Sequence, residues 1–169
     1  MSDRWPPGTV PVAFKAIKKL GTCSDYVAWA VQALVEGFDT PSLRLLAGED
    51  EGLDGSLWRV VPLFEAALSE LEITPPGEND LMRLYVGHVA RSVLTGDVPP
   101  QEAARIIERD VMGPYNHPKD LQEWCHLSDG RHPENYAELS PAKLDAEIRE
   151  RAKKYSDELP GFVGDPPSN

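Results

Sequence analysis

The chain is short of most features that anchor, staple or specialise a protein. It has only two cysteines, Cys23 and Cys125, too few for a disulfide framework. Reduced thiols and a cytoplasmic placement are therefore expected. It has no long hydrophobic run: the longest apolar stretch, Tyr26 to Val35, spans ten residues and contains Gln32, whereas a membrane-spanning helix needs about 20. No membrane partner is expected. The opening residues Met1-Ser2-Asp3-Arg4-Trp5-Pro6-Pro7-Gly8 contain no apolar stretch, so no secretory signal is expected. Basic charge is scarce, with 17 Lys and Arg against 28 Asp and Glu and a net charge of -11. A nucleic-acid binder must neutralise phosphates with clustered cations, so nucleic acid is not expected as a partner. Runs of alternating β-branched residues are missing, which predicts no sheet. No internal repeat, phosphate loop, dinucleotide fingerprint, H-E-x-x-H or G-x-S-x-G occurs.

What is present is punctuation. The chain has 16 prolines and 13 glycines in 169 residues, and nearly all the prolines fall between segments of helical periodicity. Proline suits the first turn of a helix and blocks its interior, while glycine takes the left-handed conformation just past a helix end. These marks predict a helix over 10–20 with Ala13, Phe14, Ile17 and Leu20 on one face and Gly21 ending it. A second follows over 25–36, capped by Ser24, apolar nearly all round and so central. Thr40-Pro41 opens a short helix through Leu46, and Leu63, Phe64, Ala67, Leu68 and Leu71 mark the next. Ser56 is its expected cap, and Pro62 predicts a fresh start or a kink after a turn at 57–61. Further helices are expected over 78–95, from Pro99-Pro100 through Val111, from Pro118 to His126, and from Ser140-Pro141 to Glu158. Gly87 lies inside the 78–95 pattern, as expected of a close helix approach. The last helix has a narrow stripe of Leu144, Ile148, Ala152 and Tyr155, with acid-before-base pairs Asp145–Arg149, Glu147–Arg151 and Glu150–Lys154 on its exposed face. The expectation is an all-α, compact single-domain bundle of about seven to eight helices over 1–159, with an irregular tail over 160–169.

The charge is uneven. Residues 1–48 carry net +1 and residues 81–169 net -4, but residues 49–80 carry nine acidic groups against Arg59 alone, net -8. A field of that sign attracts a basic partner; the blander reading is a solvated surface that maintains solubility.

Three runs carry a resemblance. They are Trp29-Ala30-Val31-Gln32-Ala33-Leu34-Val35-Glu36-Gly37-Phe38-Asp39-Thr40-Pro41-Ser42-Leu43-Arg44-Leu45-Leu46-Ala47-Gly48, Pro62 through Leu71, and Leu94-Thr95-Gly96-Asp97-Val98-Pro99-Pro100. Together they resemble a group of small, uncharacterised bacterial all-helical proteins, over about residues 25–110. The resemblance implies the helix map and a cytoplasmic placement. It brings no activity and no site residues.

Chemistry-bearing residues collect in 112–139. Three of the four histidines (His117, His126, His132) lie there with Cys125, Asp120, Glu123, Asp129, Tyr115, Trp124 and Tyr136. A metal site would use His117, Cys125, His126 and His132, with Asp129 as an oxygen ligand. The spacing H-x7-C-H-x5-H matches no zinc pattern, and neighbours on a helix diverge by about 100°. The competing reading packs Leu121, Trp124 and Cys125 inward and leaves His126 and His132 to water or an acid. His88 reads as a half-buried, hydrogen-bonded histidine and Cys23 as a small packed residue. No cofactor is expected.

These features point away from catalysis and toward a protein-protein interaction domain with a basic partner, of the immunity or antitoxin kind. Its contact residues would be Glu49, Asp50 and Glu51 in the acidic run, and Tyr115, Trp124, His126, His132 and Tyr136, since aromatic side chains dominate binding hot spots. The alternative is a small metal-binding protein or hydrolase built on 112–139. A third is a subunit of a homo-oligomer; the sequence sets no oligomeric state.

Overall fold

A computed structural model describes residues 5–49 and 57–158. Among them are eight α-helices and no strand; an isolated bridge between Arg131 and Glu138 is the one β-type pairing. The all-α fold is as the proline and glycine marks require. The expected cap Ser56 and the tail over 160–169 lie outside the described residues. The described residues form two compact units, one up to Leu81 and one from Met82 onward.

The N-terminal unit contains α1 (Thr9–Lys18), α2 (Cys23–Val35), α3 (Pro41–Ala47) and α4 (Leu57–Glu70). The start of α2 is set by Thr22, not Ser24: Thr22 accepts from the Asp25 N–H and the Asp25 side chain accepts from the Thr22 N–H, so two orphan donors are satisfied reciprocally. Lys19, at φ 56°, makes the left-handed exit from α1. Gly21 serves a different purpose there. A Cβ on it would sit 2.9 Å from Tyr26 Oη, so the ring of Tyr26 packs against bare backbone.

Helix α2 contacts both α3 and α4. It is not buried all round: Tyr26, Trp29, Ala30 and Ala33 are core residues, but Val31 and Val35 are 46% and 74% exposed. Phe64 of α4 meets Trp29 at 4.8 Å and Tyr26 at 5.4 Å, both edge-on, the arrangement the ring quadrupoles favour. Pro62 is not a fresh start and no separate turn precedes it, because α4 begins at Leu57 and runs through it. Glu70 at the far end of α4 accepts from the Ser42 N–H at 3.0 Å and the Ser42 hydroxyl at 2.7 Å. A carboxylate from one helix thereby serves the first turn of another.

The C-terminal unit takes most of α5 (Glu78–Thr95) together with α6 (Pro100–Ile107), α7 (Gln122–Ser128) and α8 (Pro141–Glu158). Gly87 is buried in α5. The helix expected through Val111 gives way at Glu108 to a π-helical turn over Glu108–Met112. That turn brings Asp110 inside, 4% exposed, where Tyr85 Oη donates at 2.7 Å and Arg109 Nε at 2.6 Å. A buried carboxylate needs such partners. Leu144, Ile148 and Ala152 form the buried stripe of α8. Its charged residues do not pair along the helix as expected. Arg149 donates to Val93 O at 3.2 Å, Arg151 meets Glu123 at 2.8 Å, and Gln101 donates to Asp145 at 3.1 Å.

Candidate functional site

The segment 112–139 divides into two parts. Its first part leaves the π-helical turn with Asn116 and His117 both left-handed, at φ 55° and 53°. The chain is held by the His117 N–H donating to Met112 O at 2.7 Å. His117 is exposed there, directly before Pro118 and the 3-10 turn Lys119–Leu121. Tyr115 is half-buried. Trp124, on α7, is 1% exposed. It is a core residue, so the expectation that it contacts a partner is corrected: its position on α7 turns it inward with Leu121 and Leu127, both equally buried.

The second part folds back over α7. The His126 and Tyr136 rings meet edge-on at 4.8 Å, and Tyr136 is 59% exposed. His132 N–H donates to Ala137 O at 2.9 Å and Tyr136 N–H to His132 O at 2.9 Å. His132 Nδ1 accepts from the Glu134 N–H at 3.2 Å, while Nε2 lies 3.7 Å from Glu147 Oε1, beyond hydrogen-bond distance. One ring nitrogen of His132 is thus taken up by local backbone. A depression of about 720 Å³ lies beside it, lined by Asn135, Glu138, Lys143 and Glu147.

The metal set does not assemble. Among the described residues, no three His, Cys, Asp or Glu side chains group so as to hold a metal ion. Cys125 and His126 diverge as successive helical residues must, His117 sits in an exposed turn, and His132 Nδ1 is taken up by the Glu134 N–H. Burial pushes the Cys125 thiol up, with Glu108 and Asp129 adding to the effect, the reverse of what a nucleophile needs. Cys23 is 7% exposed and shifted upward by burial and by Glu49.

No family model, curated protein or solved structure matches this chain. Among the described residues, no helix is long and apolar enough to cross a membrane.

In the acidic run, Asp50 and Glu51 lie outside the described residues. Glu49 is half-buried and holds Arg59 at 2.9 Å, so the one base of 49–80 is already occupied. The residue after Leu57 was missed by the sequence reading. Trp58, in the first turn of α4, is 75% exposed. Its neighbour Val60 is buried at 1%, and two residues along a helix turn the side chain by about 200°. That offset from the Val60–Phe64–Ala67 row was a readable signal once the helix began at 57. Seven of the nine large hydrophobic side chains left exposed among the described residues, Trp58 included, belong to the N-terminal unit. Most of the exposed apolar side chains therefore lie in the N-terminal unit, and Tyr136 is the one in 112–139.

Proposed function

We propose that the protein is a non-enzymatic, acidic helical module that binds a basic partner protein in the bacterial cytoplasm, an immunity or antitoxin role against a basic toxin being one concrete form. The observation that supports this most is Trp58. A tryptophan 75% exposed, four residues after Asp54 and within nine of Glu49, Asp50 and Glu51 in sequence, combines an aromatic anchor with a field of one sign. Aromatic anchors supply affinity, and surrounding charge supplies encounter rate and partner choice. Leu57, 38% exposed, extends the apolar surface beside it. With Arg59 tied to Glu49, the basic charge that complements this stretch comes from the partner.

The test is capture of the partner from the native cell by the untagged chain, repeated at rising ionic strength and with two variants. Recovery should fall as salt rises, because charge attraction is screened. It should fall further with the combined Glu49→Lys, Asp50→Lys and Glu51→Lys change, and with Trp58→Ala. Recovery unchanged by salt and by both variants refutes the reading.

A further inference from the structure

The C-terminal unit contains a cation-rich cleft that the proposed partner surface does not use. It has a volume of about 240 Å³ and lies among α5, the 119–121 turn, α7 and α8. Arg83 comes from α5, Asp120 from the turn and Glu123 from α7, while Arg151, Lys154 and Tyr155 share one face of α8 at i, i+3 and i+4. Trp124 closes the floor. Three cations thus meet two carboxylates, a local excess of positive charge in a chain of net -11.

The pairing inside the cleft is incomplete in a specific way. Arg83 meets Asp120 through Nη1, and Arg151 meets Glu123 through Nη1 at 2.8 Å. Each guanidinium uses one nitrogen on its carboxylate. Elsewhere the chain grips with two: Arg44 holds Asp39 at 2.6 and 2.5 Å, and Arg109 holds Asp110 at 2.6 and 3.3 Å. Arg83 is also hydrogen-bonded to Tyr155, but a guanidinium carries five N–H donors, so the cleft arginines keep donors for a further acceptor. Lys154 makes no ion pair with any described residue. Hydrogen bonding from Arg83 holds the Asp120 carboxyl below its usual range.

We propose that this cleft binds a small organic oxyanion, a carboxylate or a phosphate ester, whose other end donates a hydrogen bond. Lys154 and the remaining N–H groups of Arg83 and Arg151 take the anionic group. Asp120 and Glu123 repel a second negative charge and accept from a hydroxyl or ammonium on the rest of the molecule. Size points the same way, because the cavity is smaller than the ~300–1,000 Å³ of sites for drug-sized ligands.

The test is titration of the full chain, followed by amide and arginine side-chain NMR, with glycolate, acetate, glycerol phosphate and inorganic phosphate at low salt. Saturable shifts confined to the cleft are expected with glycolate or glycerol phosphate, at a dissociation constant in the low millimolar range or below. Acetate, which lacks the hydroxyl, should bind at least threefold more weakly than glycolate. The carboxylate and phosphate arms distinguish the two anion sources. Lys154→Glu should weaken binding tenfold or more, while Lys153→Glu, the same charge change outside the cleft lining, should alter it less than twofold. Shifts that never saturate, binding that survives Lys154→Glu, or equal loss in both variants overturns the proposal.

Discussion

Thr9 sits at a relay that can be taken apart quantitatively. Its hydroxyl donates to Pro6 O at 2.6 Å and accepts from Trp29 Nε1–H at 3.0 Å, both bonds being buried. Thr9 is 2% exposed and Trp29 4%. In Thr9→Val the shape is kept and the hydroxyl is lost. Pro6 O retains a partner, because the Thr9 backbone N–H donates to it at 3.2 Å. The indole N–H of Trp29 is left with none, which costs about 1–3 kcal/mol. The added methyl returns up to about 0.8 kcal/mol, so the net loss should be about 1–2 kcal/mol. For a chain of this length that lowers the melting temperature by about 2–8 °C. The magnitude alone does not identify the cause, so the assay is a double-mutant cycle by urea denaturation with Trp29→Phe. When the indole donor is already gone, Thr9→Val should cost little, and the cycle should give a coupling of about 1 kcal/mol. A coupling below about 0.3 kcal/mol, within the additivity error of independent sites, refutes the relay as the source of the loss.

Gly21→Ala places a Cβ 2.9 Å from Tyr26 Oη and 3.0 Å from Cε2, and the ring is 1% exposed; overpacking of this kind costs about 1–3 kcal/mol, read as a lower denaturation midpoint. Trp124→Ala should cost about 3–5 kcal/mol of stability, whereas Trp58→Ala should stay within about 0.5 kcal/mol and instead weaken partner binding. Covering the 75% of Trp58 now exposed removes roughly 110–190 Å² from water, worth up to about 5 kcal/mol; equal stability losses in the two variants would contradict the assignment. In acid, Asp39 is held low by Arg44, Glu70 by Ser42, and Asp120 by Arg83, while burial of Asp25 is outweighed by its bonds with Lys15 and Thr22. Each is depressed on folding, so its contribution is present above the ordinary carboxylate pKa of about 4 and lost as pH falls through the folded value. The urea midpoint should hold from pH 7 to 5 and drop below 4, and Glu70→Gln should shrink the drop. In alkali the sign reverses for Tyr26, which burial, with Asp25, pushes up to about 12: its stabilisation is complete below about 10 and lost through 12, checked by phenolate absorbance appearing together with unfolding.

The sequence by itself determined the helices. Proline and glycine act on backbone geometry within one or two residues, so α3 at Thr40-Pro41, α5 over Glu78–Thr95 and the start of α8 at Pro141 were legible without any knowledge of packing. The buried stripe of α8 was legible too, because helical spacing puts Leu144, Ile148 and Ala152 on one side. Which aromatic side chain faces solvent was not. Trp58 is readable as outward only once α4 is known to begin at Leu57, and the packing of each unit leaves Trp58 75% exposed and Trp124 1%. The destinations of charges were equally hidden. Arg151 sits four residues from Glu147 yet meets Glu123, and Asp110 becomes a buried carboxylate through a π-helical turn and Tyr85, a residue 25 positions away. Local steric rules fix where a helix begins and ends; burial and the partners of long polar side chains are set by what comes together from distant parts of the chain, and that is a property of the tertiary structure alone.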